Sequence, residues 1–148
     1  MKLTRVFTAL GSFCFLLSPA STGSQEESPE IIGPDRIQLK ARPGKRLVLH
    51  CKAYPKCEDD QTLIYWLVNG SFPEDTFTNG RVAETKESTS EGGTILQRSL
   101  VLKNVTSEDL RSTFICVVTN PVGIAQKHIT LKATIRKRLT ERHCSNKV

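Results

Sequence analysis

The chain is poor in the residue clusters that chemistry needs. Its three histidines, His50, His128 and His143, are scattered, and no C-x-x-C pair or H-x-x-x-H spacing exists, so a zinc site has no ligand set to start from. There is no G-x-S-x-G elbow and no glycine-rich phosphate loop, and once disulfides form no thiol remains to act as a nucleophile. No enzymatic activity, no cofactor and no metal are therefore expected. Long hydrophobic runs are missing too. The longest, Val6–Leu17, is well short of the ~20 apolar residues that cross a bilayer, so no membrane span is expected. Aromatics make up 6% of the chain and include a single tryptophan, Trp66. That scarcity makes its position informative.

At the amino terminus Lys2 and Arg5 precede the apolar run, and Ser18, Ala20, Ser21, Thr22 and Gly23 follow it. This is the layout of a secretory signal peptide, with cleavage expected after Gly23 or Ala20. The expected organisation is a signal peptide over 1–23, a flexible Ser/Glu/Pro-rich leader over 24–35, one domain over 36–133 and a basic tail over 134–148. What remains after the signal suffices for one domain but not for two sandwiches of roughly 100 residues each. Cys14 leaves with the signal, and Cys51, Cys57, Cys116 and Cys144 then sit in an oxidising, extracellular compartment.

Trp66 stands between Cys51 and Cys116, and that order is the core signature of an immunoglobulin-like β-sandwich, in which an inter-sheet disulfide packs against the indole. The expected fold is all-β, a single antiparallel sandwich. Cys57 and Cys144 are left to pair with each other or between molecules. Turn residues and period-two alternation place strands at 36–41, 46–52, 63–68, near 81–83, 96–102, 113–119 and 125–132, with a polar loop over 85–93. Phe114 occupies the position where this fold has a corner tyrosine, and Asp109 and Arg81 are expected to form an ion pair at the base instead.

Alternation also decides which residues meet water. With Trp66 inward, Leu63, Tyr65 and Leu67 face out; with Cys116 inward, Ile115 and Val117 face out. The two strands are neighbours in this fold, so these residues and Phe72 on the following turn are expected to form a contiguous exposed apolar patch, which marks a partner-binding surface. Asn69-Gly70-Ser71 and Asn104-Val105-Thr106 are glycosylation sequons. From Lys132 onward six basic residues face one acidic residue. Among them Arg136, Lys137, Arg138 and Arg142 are candidate contacts to heparan sulfate, while nucleic acid is not an expected partner of a secreted chain.

Tyr65-Trp66-Leu67-Val68-Asn69-Gly70-Ser71-Phe72 with Glu74, the Leu100–Thr106 segment and Cys116–Leu131 resemble the interleukin-18-binding proteins, secreted single-immunoglobulin decoys. Gly80-Arg81-Val82 and Ser107-Glu108-Asp109-Leu110 with Phe114–Val118 are similar to the third domain of interleukin-1 receptors. The resemblance covers about residues 36 to 132. It implies a monomeric, secreted protein that sequesters interleukin-18 or a related interleukin-1-family cytokine and blocks its receptor. Tyr65 and Phe72 would be the aromatic anchors and Glu74 a partner for a basic group. Gln61 stands where the family often has a third aromatic, and Phe77 or Tyr54 are the candidates to substitute for it. An interleukin-1-receptor-like decoy, and a glycosaminoglycan-binding or adhesion module, are the alternative readings.

Overall fold

A computed structural model describes residues 26–57, 61–90 and 92–134. Among these residues nine strands build two sheets. β1 (Glu30–Ile31), β3 (Leu47–Tyr54), β7 (Ile95–Leu102) and β5 (Val82–Glu84) lie side by side in the first, with β6 (Ser88–Ser90) pairing onto β7. The second has the order β2 (Arg36–Ala41), β9 (Ile124–Ala133), β8 (Thr113–Thr119), β4 (Leu63–Val68). All pairings are antiparallel except β2 with β9, which run parallel, because β2 crosses to the second sheet and borrows the edge of the last strand.

The core follows from alternation. Leu49, Cys51 and Ala53 of β3 and Leu96, Leu100 and Leu102 of β7 are buried opposite Ile64, Trp66 and Val68 of β4 and Phe114, Cys116 and Val118 of β8. The Cys51–Cys116 disulfide joins the two sheets. Trp66 is fully buried, and its indole N–H donates to the Arg98 carbonyl at 3.1 Å, so the one polar atom of the ring keeps a partner. At the base, Arg81 grips Asp109 through two hydrogen bonds of 2.7 and 3.0 Å. Burial alone would push the Asp109 carboxyl up, but the hydrogen bonds from Arg81 and from the Thr106 backbone outweigh it and hold the carboxyl below its ordinary value. Phe114, at the position of the missing corner tyrosine, is completely buried.

Three expectations need correction. The polar 85–93 loop contains β6, a short strand whose Ser and Thr side chains give no hydrophobic signal. The leader is not uniformly flexible, since β1 pairs with β3 and Ile31 joins the core. Asn120 ties the leader down: its amide N–H group donates to the carbonyls of Glu27 and Pro55 at 2.7 and 3.1 Å, while its oxygen accepts from Val122 and Gly123. Third, Val117 is only 2% exposed. It lies on an interior strand between Tyr65 and Gln126, and a short valine flanked by longer side chains is shielded by them. The signal peptide, Cys144 and the tail residues Arg136, Lys137, Arg138 and Arg142 lie outside the described residues. Among the described residues no helix is long and apolar enough to cross a membrane.

Candidate functional site

The outward face of the second sheet is laid out in rows by strand register. One row runs from Leu67 through Ile115 and His128 to Arg36. The next holds Tyr65, Val117 and Gln126, and the last Leu63, Thr119 and Ile124. Leu67, Tyr65 and Ile115 are half-buried, whereas Leu63 is 58% and Ile124 64% exposed. The β4 side of the sheet is thus apolar, and the surface turns polar toward β9 and β2. Ile124 was missed at the sequence level because the last strand was expected to begin one residue later. Extending its alternation back from His128 and Gln126 finds it.

Phe72 reaches this face through the turn that ends β4. Asn69 and Gly70 both have positive φ, 50° and 84°, the pattern that Asn-Gly supplies in a two-residue hairpin loop. Val68 and Ser71 close it with paired backbone hydrogen bonds of 2.8 and 3.1 Å. The chain doubles back, and Phe72 caps the short helix α1 (Pro73–Thr76) with an extended backbone that the following proline favours. Its ring comes to rest 5.7 Å from that of Tyr65, tilted by 46°. That spacing is favourable for an aromatic pair. Phe72 stays 44% exposed. Glu74 is exposed on the first turn of α1, two positions after Phe72 and free of any ion pair among the described residues.

Neither aromatic considered as a substitute for the one absent at Gln61 reaches this surface. Phe77 packs against the core under the Arg81 guanidinium, 4.9 Å away. Tyr54 projects from the far end of β3 in the other sheet. The apolar surface at the Gln61 end comes instead from Leu63 and Ile124.

β4 is an edge strand, and its outer backbone is sealed by two side chains from the first sheet. Glu84 accepts from the Trp66 N–H. Arg98 donates to the Ile64 carbonyl at 3.0 Å and to the Thr85 carbonyl at 2.9 Å, and pairs with Glu84 at 2.9 Å. Arg98 lies opposite Cys51 in the ladder, an inward position. A charged residue at inward parity beside Leu96 and Leu100 was the signal for this clip. Its effect is to occupy two backbone groups on the outer edge of the strand that carries Tyr65.

The Asn69 side chain is engaged at both ends, donating to Ser112 Oγ at 3.1 Å and accepting from the Thr113 N–H at 3.0 Å. Asn104 is exposed on the turn after β7, where its carbonyl accepts from Arg81. No group of three or more His, Cys, Asp or Glu side chains able to hold a metal occurs among the described residues.

Residues 36–134 match the family model described as YLDV-IL18BP-like, Yaba-Like Disease Virus IL18BP. The chain is 32% identical over 110 residues to rat interleukin-1 receptor type 2, covering 72% of the chain and 26% of that protein. It is 29% identical over 109 residues to mouse interleukin-1 receptor accessory protein, covering 72% and 19%, and 29% identical over 111 residues to human interleukin-18 receptor accessory protein, covering 74% and 18%. The chain thus spans about a quarter or less of the length of these relatives. Among solved structures, the amino-terminal immunoglobulin domains of Down syndrome cell adhesion molecule superpose with a TM-score of 0.56 at 20% identity, over 75% of this chain and 15% of that one. The complex of Dpr2 with DIP-Theta gives 0.55 at 20% identity, over 74% and 33%. These two likenesses speak for the sandwich alone. The two-sheet fold, the inter-sheet disulfide and the family match together place the chain in the Yaba-like disease virus IL18BP-like family, an immunoglobulin family related to the interleukin-1 receptors.

Proposed function

We propose that the protein is a secreted decoy that sequesters interleukin-18, or a related interleukin-1-family cytokine, on the outward face of the β2-β9-β8-β4 sheet and so denies the cytokine to its receptor. The observation that carries this reading is the Tyr65–Phe72 pair, held 5.7 Å apart and projecting from an apolar strand whose backbone edge is already satisfied. Aromatic anchors that enter a desolvated pocket dominate interface energetics. Leu63, Leu67, Ile115 and Ile124 extend the apolar contact around them, and Val117 flanks Tyr65 on the neighbouring strand. Glu74 sits where it can meet a basic group on the partner's rim. The mechanism is occupancy and requires no chemical step, cofactor or metal.

The relatives' names support an interleukin-1-family ligand and leave interleukin-1 and interleukin-18 as the two arms of the test. Binding of the purified chain to a panel of interleukin-1-family cytokines from one host, measured by biolayer interferometry, is expected to give a 1:1 complex with interleukin-18 or a near relative. A chain that binds none of them, or that self-associates on gel filtration without cytokine, overturns the decoy reading in favour of an adhesion module. Glycans at Asn104 and Asn69 fit this extracellular role. At Asn69 the side-chain amide is held by hydrogen bonds to Ser112 and Thr113.

A further inference from the structure

The most exposed aliphatic side chains of the second sheet stand at one corner, and that corner is strapped from behind. Leu63 opens β4, Ile124 opens β9, and Thr119 ends β8 between them in one cross-strand row. Two inter-strand spacings, roughly 10 Å, separate the two aliphatic residues. The Thr119 hydroxyl donates to the Gly123 carbonyl at 3.3 Å, so the polar group of the row has a partner and would not be orphaned under a cover. Hairpin ends ordinarily fray, but this one is clamped. Asn120, just past β8, is buried and uses both amide hydrogens on the Glu27 and Pro55 carbonyls and its oxygen on the Val122 and Gly123 N–H groups, which exhausts the side chain. Its own N–H donates to the Gly123 carbonyl at 3.0 Å. The leader is locked from the other side as well: Glu27 donates its N–H to the Lys56 carbonyl at 3.1 Å, and the Lys56 ammonium pairs with Glu30 at 2.7 Å and Glu27 at 3.4 Å. Leader and turn meet without slack, because a methyl group at Gly123 would overlap the Ser28 side chain. Gly123 does not have a positive φ. The close approach, and not a left-handed backbone, is what requires glycine there.

We propose that this corner is a third anchor of the binding face, at the end of the sheet where Gln61 supplies no aromatic, and that Asn120 and leader residues 26–30 are positioning elements that fix it. The inference rests on the cytokine reading above and adds to it what the partner must bring here, an aliphatic side chain. The row from Leu63 through Thr119 to Ile124 carries no charge and no unpaired side-chain polar group. A charged group of the partner set on it would lose water and gain no counterion, whereas an aliphatic one fits between the two flanking side chains. Tyr65 lies two residues along β4 from Leu63, about 7 Å away, so one partner surface covers the aromatic pair and the corner together. Side chains already ordered by the fold do not have to be ordered on association, and rigidity of this kind favours binding without adding a contact. The leader thereby serves the binding face although its own strand, β1, belongs to the other sheet.

The test measures binding of the full secreted chain to interleukin-18 by biolayer interferometry, with Tyr65→Ala as the reference change. Leu63→Ala combined with Ile124→Ala is expected to weaken binding by roughly tenfold or more at an unchanged melting temperature, since both side chains are exposed. Gly123→Ala, which drives the leader off the turn, is expected to weaken binding by about threefold or more through lost preorganisation. Adding Ser28→Gly removes the obstructing side chain and is expected to restore binding. Gly123→Ala is further expected to cost nothing once Leu63 and Ile124 are alanine, yet to keep its full effect beside Tyr65→Ala; a general loss of stability would act equally in both backgrounds. Binding weakened by Tyr65→Ala but not by the Leu63 and Ile124 pair overturns the third anchor and leaves the decoy reading standing. The reverse result supports the corner and removes the aromatic anchor. Equal losses from Gly123→Ala in every background overturn the positioning role of Asn120 and the leader, and a wild-type chain that binds no cytokine overturns both readings.

Discussion

The two sheets obey the same alternation yet present opposite surfaces. Outside the first sheet, β3 and β7 show His50, Lys52, Gln97 and Ser99 to solvent, and His50 Nδ1 lies 2.9 Å from Ser99 Oγ. Its outward aliphatic positions, Val48 and Val101, are half-buried, and its one exposed aromatic, Tyr54, sits at a strand end. Outside the second sheet, the corresponding positions of β4 and β8 carry Leu63, Tyr65, Leu67 and Ile115. The first pattern is what a solvated sheet of a soluble domain displays. The second leaves apolar area uncovered, and burying it would contribute several kcal/mol at ~25 cal/mol per Å², less the costs of association. The fold demands neither arrangement. The difference therefore comes from the residues each sheet carries and not from the sandwich.

The largest effect should come from the core that both sheets share. Trp66→Ala is expected to cost about 3–5 kcal/mol, and Cys116→Ser ~2–5 kcal/mol, with sharply reduced secretion. Chemical denaturation measures both. A Cys116→Ser chain that secretes and melts like wild type would contradict the joint core. Next comes the clamp at the base. Asp109→Asn removes one partner of a buried pair and should cost about 3 kcal/mol. The sign of the pH dependence follows from the lowered Asp109 carboxyl. Its contribution is complete above the unfolded-state value, about 3.9, and is lost as pH falls through the lower folded-state value. Acid unfolding of wild type should accordingly show a component below about pH 4 that is missing in Asp109→Asn.

The comparison itself is tested at the surface. Tyr65→Ala and Phe72→Ala should each weaken cytokine binding by ~2 kcal/mol or more, mostly through faster dissociation, with little change in melting temperature. On the first sheet, His50→Ala should move both stability and binding by no more than about 0.5 kcal/mol. Equal losses from the two sheets would remove the assignment of function to one of them.

Much of this was legible from residue order. The Cys51, Trp66, Cys116 spacing gave the sheets their facing strands, the bounds of β2, β4 and β8 follow from alternation, and the Arg81–Asp109 pair follows from the corner sequence. Other features depend on neighbours that the one-dimensional pattern does not contain. Parity correctly turns Val117 outward, but only the register that sets it between Tyr65 and Gln126 explains why it meets no water. β6 has no apolar residue to announce it and exists because β7 offers a free edge. The leader is held by its pairing with β3 and by a hydrogen bond to the Glu27 carbonyl from Asn120, a residue 93 positions away, and neither is visible in the leader's own composition.

The Glu84–Arg98 clip has a consequence for how this surface can change. An exposed strand edge recruits other strands through its backbone, whatever its side chains are. With the Trp66 N–H and the Ile64 carbonyl already taken, β4 offers a partner little but side chains. Its outward positions can then be exchanged one by one without inviting strand addition or disturbing the buried half of the same strand. A lineage pressed to follow a drifting ligand would find its variable positions separated, residue by residue, from those that keep the molecule folded.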